Sequence, residues 1–424
     1  MSGGAGSGAA SGSPAVPLAT TAGGPTIASQ PVSETITAGQ GAEFIVNAPG
    51  ATAFQWYKNG SSIPGATSAT FHTPALSAAD ASDAFEVAVG NGIGTTVSSA
   101  AQITINTNTD GSPPAAFWGT PTTLPVATQV MTFSFVNRTN GKYPDSQVFW
   151  GITGTTLTGG TINELHSIAD APTYDMPAAT SARMYFYIAP NAAGAVTNAT
   201  SYYDFIEFNI GMSGAAYGFN GDTTRVDAFG LKLAIRLQCG DGTDKVRGED
   251  YGTFLEDRSV TFQKYLAEVP AVFSATATQN APYRIVEPGA AGFNVGEPNA
   301  AYFSAYVDQV YAANGIDASV VPKPTPFLNF ASGTITDLSA AIQRHVAQNP
   351  GTFNANGTLV NSNFWSTIAP STFYSTGSAN YYAQFWHTHG IGGFAYGFPY
   401  DDVGGYSSDI GCTSPQRMIV AVGW

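Results

Sequence analysis

YYDFIEFNI (residues 202–210) and TRVDAFGLKLAIRLQ (residues 224–238) flank a run that contains Gly211, Gly214, Gly218 and Gly221. Successive side chains of an extended chain point to opposite faces. Tyr203, Phe205, Glu207 and Asn209 therefore share one face of the first segment, and Asp204, Ile206, Phe208 and Ile210 share the other. The glycine-rich run is expected to be the loop of an antiparallel hairpin. The midpoint of Glu207 and Asp227 is residue 217, inside that loop, so the two carboxylates are expected to face each other across adjacent strands.

Working outward, further β segments follow in QVMTFSFVN (129–137), SQVFWGITG (146–154) and ARMYFYIA (182–189). Composition agrees: with 48 Gly, 26 Pro, 26 Phe and 20 Tyr against a charged fraction of 10%, the balance is that of strands joined by tight turns. Three later segments switch to helical spacing: Ser259 to Glu268, Ala300 to Ala313 and Thr336 to Gln348. The last sets Leu338, Ile342 and Val346 on one face. The expected fold is mainly β with a mixed α/β portion.

A chain of 424 residues exceeds one ordinary core. Met1 to Gly24 consists of small residues and reads as a flexible linker. Residues 25–106 resemble an immunoglobulin-like β-sandwich: AEFIVNA, AFQWYKNG and DAFEVAVGN put Trp56 in a third strand, a turn at Asn59-Gly60, and Phe85 two residues before Val87. Val46 and Val87 would replace the antibody-type disulfide with aliphatic packing, and Trp56 would fill the core. Residues 107–114, TNTDGSPP, read as a second linker, leaving 115–424 as the larger domain.

The net charge of -14, from 15 basic and 29 acidic residues, argues against nucleic acid or an anionic membrane as partner. No apolar run reaches the roughly 20 residues that span a bilayer. The first residues lack the order of a signal peptide, as in a mature or trimmed chain. Cys239 and Cys412 could close one long loop or remain two buried thiols. No Gly-x-Ser-x-Gly block, phosphate loop or dinucleotide fingerprint stands in a suitable context.

An acid among aromatics, as Glu207 is, retains its proton nearer neutrality because solvation is reduced. Glycosidases need two such carboxyls, about 5 Å apart for retention and roughly 6.5–9.5 Å apart for inversion. Spacing alone favours an ordinary solvated acidic pair, since acids on strands are common. Arg225 alternates onto the face of Asp227 and could lower its pKa, or it could be a surface arginine. His387 and His389, on one side if their segment is a strand, lack a third ligand for a metal. Trp386 beside them is a candidate stacking platform for a sugar ring.

YYDFIEF, TTRVDAFGLKLAIRL and FAYGFPYDDVGG (394–405) are similar, in sequence and in order, to blocks of glycoside hydrolase family 64, the laminaripentaose-producing type of β-1,3-glucanase. The resemblance runs from about Phe117 to Trp424. It implies a thaumatin-like β-sandwich with an α/β subdomain beside it, forming a wide cleft. It implies inversion, with Glu207 as the acid and Asp227 as the base that activates water. It carries Asp401 and Asp402 over as binders of glucose hydroxyls. Asn209, Trp386 and His389 complete the expected substrate-binding set, and Asp204 is either a sugar contact or a carboxylate satisfied by local donors. The expectation is thus a secreted bacterial enzyme, tethered through its N-terminal linker and hydrolysing β-1,3-glucan as a monomer, without metal or cofactor. The alternative is a non-catalytic glucan-binding protein of the same architecture.

Overall fold

The computed structural model describes residues 18–37, 41–74, 76–106, 108–324, 335–375 and 377–424. The chain forms two compact units that divide between Thr109 and Asp110, within the expected linker. Each is described by itself.

In the first unit a six-stranded sheet and a two-stranded sheet enclose Phe44, Trp56, Phe85, Val87 and Ile103. Trp56 is fully buried on the strand Ala53–Lys58, and Val46 and Val87 are buried in the same core. The turn at Asn59-Gly60 joins Tyr57 and Lys58 to Ser62 and Ser61, with positive φ at both turn residues, as a two-residue hairpin requires. The expected linker 1–24 is corrected at its end: Thr21 N–H donates to the Thr95 carbonyl and Asn91 to that of Gly23, so residues 20–24 are bound to this unit. Residues 1–17 lie outside the described residues.

In the second unit the strands are β1 (Met131–Arg138), β2 (Val148–Thr156), β3 (Thr161–Ser167), β4 (Thr173–Met176), β5 (Ala179–Ile188), β6 (Tyr202–Ser213), β7 (Ala216–Thr223), β8 (Ala228–Phe229), β9 (Lys232–Cys239), β10 (Asp244–Gly248), β11 (Ile285–Val286), β12 (Ile410–Thr413) and β13 (Pro415–Gly423). One sheet has the order β3-β2-β5-β6-β7-β12, and a second has the order β4-β1-β13-β9-β10. Their inner faces meet in a single core that includes Phe133, Trp150, Phe186, Ile206, Phe208, Leu233 and Val420. Along the strands that carry them these residues alternate with outward ones, as a two-sheet sandwich demands.

The helices Arg258–Glu268, Ser304–Asn314, Thr336–Gln343 and Tyr381–Thr388 form the α-rich part between β10 and β12. Leu338, Ile342 and Val346 point into its core as the periodicity predicts. The helix from Thr336 stops at Gln343 rather than Gln348, because His345 takes a positive φ and turns the chain.

Cys239 and Cys412 are joined in a disulfide across 173 residues, tying β9 of one sheet to β12 of the other. Replacing both by serine is expected to cost about 2–5 kcal/mol in unfolding free energy, measured by denaturant titration against the parent chain.

Candidate active site

The central hairpin differs from the expected one. Its turn lies at Gly214-Ala215, and the presumed loop is itself the strand β7, so Glu207 pairs with Asp222 and not with Asp227. The glycines serve packing as well as turning. A Cβ on Gly221 would meet the Glu207 carbonyl at 2.6 Å and Phe208 Cβ at 2.6 Å, so only glycine fits against β6 there. The segment 224–238 is likewise not one strand, but β8 and β9 separated by a bend.

The outer face of the first sheet carries the site. Register places Arg183 of β5 beside Glu207 of β6, and Glu207 beside Asp222 of β7. Arg183 Nε donates to Glu207 Oε1 at 2.6 Å, and both side chains are about two-fifths exposed. Extending the β7–β12 register by one step sets Asp409 beside Asp222. Asn220 Nδ2 donates to both oxygens of Asp409, at 2.8 and 3.0 Å. Tyr396 enters from the α-rich part, where Arg225 N–H donates to its carbonyl and its hydroxyl lies 3.5 Å from Asp402 Oδ1.

Burial pushes the Asp222 carboxyl up to about 8, with the charges of Glu207, Asp409 and Asp402 adding to it and Arg225 opposing. Burial also raises the Asp409 carboxyl, against its bond from Asn220. Along the strands from this acidic row, Tyr185, Tyr187, Tyr203 and Phe205 form a continuous aromatic group, with ring centroids 5.3 to 6.4 Å apart. Carboxyls beside aromatic faces can bind an uncharged hydroxylated ring and move protons at it.

Asp227 lies outside the row, exposed at the start of β8. Extending the pairing of Ala228 with Val286 by one step puts Glu287 opposite it, and Glu287 N–H donates to the Asp227 carbonyl at 3.0 Å. Burial raises the Glu287 carboxyl, and the Asp227 charge raises it further, against bonds from the Gly289 and Ala290 N–H groups. Asn209 stays on the face of Glu207, where its side chain accepts from Ser181 N–H at 2.7 Å.

Four expected binding residues are not available to a ligand. Asp204 is fully buried, accepts from the N–H groups of Phe205, Gly230 and Leu231, and pairs with Arg225 Nη1 at 3.0 Å. Asp401 is fully buried between Arg344, at 2.8 Å, and His387, at 3.0 Å. Burial works against its ionisation, but His387, Arg344 and the Gly397 N–H outweigh it and hold its carboxyl below the ordinary value. Trp386 is buried against Phe229, with centroids 4.8 Å apart, and belongs to the core. His389, just after its helix, has both ring nitrogens engaged by Thr253 and Glu268.

The two histidines also diverge because their segment is a helix, on which positions i and i+2 point apart. Among the described residues no group of three or more His, Cys, Asp or Glu side chains could hold a metal ion. Arg225 neither shares a strand face with Asp227 nor lies on the surface. It is buried, bonded to Glu249 through Nε at 2.8 Å, and lies under the rings of Phe229 and Trp386.

Sequence reading missed Asp222, Asp409 and Tyr396. The alternation of Phe219, Asn220 and Asp222 was the available signal, and the glycines around it concealed the strand.

The family model described as β-1,3-glucanase (Glyco_hydro_64) matches residues 178–321 and 322–422. Among solved structures, a glycoside hydrolase family 64 laminaripentaose-producing β-1,3-glucanase from Paenibacillus barengoltzii is similar at 25% identity, with a TM-score of 0.57, over 93% of this chain and 100% of that one. The same enzyme complexed with laminarihexaose gives a TM-score of 0.58 at the same identity and coverage. A β-1,3-glucanase domain from Clostridium beijerinckii shares the fold at 21% identity and a TM-score of 0.56, over 71% of this chain and 100% of that one. No curated protein matches.

Proposed function

Since this chain belongs to glycoside hydrolase family 64 and is a β-1,3-glucanase, we propose that it cuts its glucan with inversion, using Glu207 as general acid and Asp227 as general base. The observation that carries this reading is the position of Glu207. It stands in mid-strand on an open sheet face, between a row of acids on one side and aromatic rings along its own strand.

Directly opposed positions on antiparallel strands hold their Cβ atoms about 4.5–5.5 Å apart. Asp222 occupies that position, whereas Asp227 stands beyond the end of β7. The offset supports a wider gap between Glu207 and Asp227, such as inversion needs for its water. In the reaction Glu207 donates a proton to the leaving oxygen while Asp227 takes one from water attacking the opposite face of the sugar.

Tyr185 and Tyr203, the half-buried members of the aromatic group, support stacking of a glucose ring, and Asn209 and Asp402 supply partners for hydroxyls. The complex of the Paenibacillus enzyme with laminarihexaose supports a β-1,3-linked oligosaccharide as occupant. The disulfide suits an oxidising compartment and supports action outside the cell. Among the described residues no helix is long and apolar enough to cross a membrane.

Incubation with laminarin, followed at once by proton NMR, is expected to show α-anomeric products first. First release of β-anomers would reject the Glu207–Asp227 pair and select the directly opposed Glu207 and Asp222, whose spacing suits retention.

A further inference from the structure

We propose that Asp222 is a positioning residue for the acid: its carboxyl and that of Glu207 share one proton, and Asp222 keeps that proton in the site until Glu207 delivers it. This rests on the reading of Glu207 as general acid.

Three observations carry it. Asp222 is the direct cross-strand neighbour of Glu207, so the two carboxyls emerge on the same face from adjacent strands. Its Oδ1 is buried and has no hydrogen-bond partner among the described residues. A buried carboxylate oxygen left unpaired is costly, whereas a protonated carboxyl can give its hydrogen to a neighbour. Glu207, in contrast, receives Arg183 Nε at 2.6 Å, a charge-assisted bond that suits the ionised form. A general acid that meets an arginine in the free enzyme needs a nearby store of protons, and two carboxyls in one site do not readily ionise together.

The surrounding charges agree. Asp409 flanks Asp222 from the start of β12, and Asp402 acts on it from the segment after Tyr396, both disfavouring its ionised form. Tyr396 shares the influence of Asp402 and Asp222. Arg225, which opposes them, is already paired with Asp204 and Glu249. Raised to about 8, the Asp222 carboxyl holds its proton through neutral pH.

The exchange balances. The Asp222 hydroxyl proton passes to the Glu207 carboxylate, leaving Asp222 ionised and Glu207 protonated. Glu207 then gives that proton to the glycosidic oxygen as the bond from C1 to that oxygen breaks. Water forms the new C1–O bond and loses a proton to Asp227. Asp227 releases its proton to solvent, and the pair takes one back.

The test is the pH profile of kcat/KM on laminarin for the full chain, for Asp222→Asn and for Asp222→Glu. In the parent chain the alkaline limb, which reports loss of the acid's proton, should fall near the Asp222 value of about 8. Asp222→Asn removes the store and the like charge while Arg183 remains, so the limb should move toward acid by about one pH unit or more, and the rate at neutral pH should drop about tenfold or more. Asp222→Glu should restore the limb. A residue that only held the strand in place would lower the rate at every pH without moving the limb.

An unmoved limb in Asp222→Asn, with Glu207→Gln inactive, overturns this inference alone. Turnover retained by Glu207→Gln overturns the inference and the acid assignment together. Should Asp222→Asn fail to fold, the parent chain labelled with ¹³C at its aspartate carboxyls serves instead. A resonance titrating well above the ordinary aspartate range is expected, and absence of any such resonance overturns the proposal.

Discussion

Glu207→Gln is expected to lower release of soluble oligosaccharide from laminarin by about 10²–10⁴-fold, the usual contribution of a general acid, with little change in thermal unfolding. The side chain lies on the open face of β6, 39% exposed, so its replacement leaves no cavity. Glutamine keeps the length and an oxygen that still accepts from Arg183 Nε, but it has no proton to give to a leaving oxygen. Surface changes of this kind usually alter stability by no more than about 0.5 kcal/mol. Chromatography of the products, set beside a melting curve, checks both halves. Turnover near that of the parent chain would remove Glu207 from the mechanism.

Asp204→Ala should behave in the opposite way, with a loss of about 3–5 kcal/mol in unfolding free energy, the cost of leaving a buried partner charge uncompensated. Asp204 and Arg225 are both almost wholly shielded from solvent, and Glu249 on the other side of the guanidinium cannot take over the bonds that Asp204 accepts from Gly230 and Leu231. Gly230 is tightly fixed, because a side chain there would collide with the Tyr203 carbonyl. The consequence is a bend between β8 and β9 that depends on one carboxylate. Urea unfolding of the variant measures the loss. If the protein still folds, its KM for laminarin should be close to that of the parent chain, since Asp204 cannot reach a sugar. A raised KM at unchanged stability would return Asp204 to the binding set.

Two acids of the same strand thus received different fates. Alternation correctly separates Glu207 from Asp204, because β6 is a true strand with one face in the core and one in solvent. The same rule misplaces Arg225 and Asp227, because it was applied across a bend. It also misplaces His387 and His389, because aromatic residues at helical spacing, Tyr382, Phe385 and Trp386, make their segment a helix. Asp401 and Asp402 were indistinguishable as neighbours in sequence. One is enclosed by Arg344 and His387, and the other faces the acidic row through Tyr396.

The sequence by itself determined the two-sheet architecture, the helical character of the α-rich part and the identity of the family, because these depend on local periodicity and on blocks of contiguous residues. It also singled out Glu207, through the aromatic alternation on its own strand. Only the tertiary structure decided which acids accompany it. Asp222 stands opposite Glu207 because a two-residue turn sets the register, and Asp409 arrives from 187 residues further along the chain by pairing of β12 with β7. Whether a carboxylate meets solvent, another acid or a buried arginine depends on long-range packing, and that environment sets its charge and the chemistry open to it.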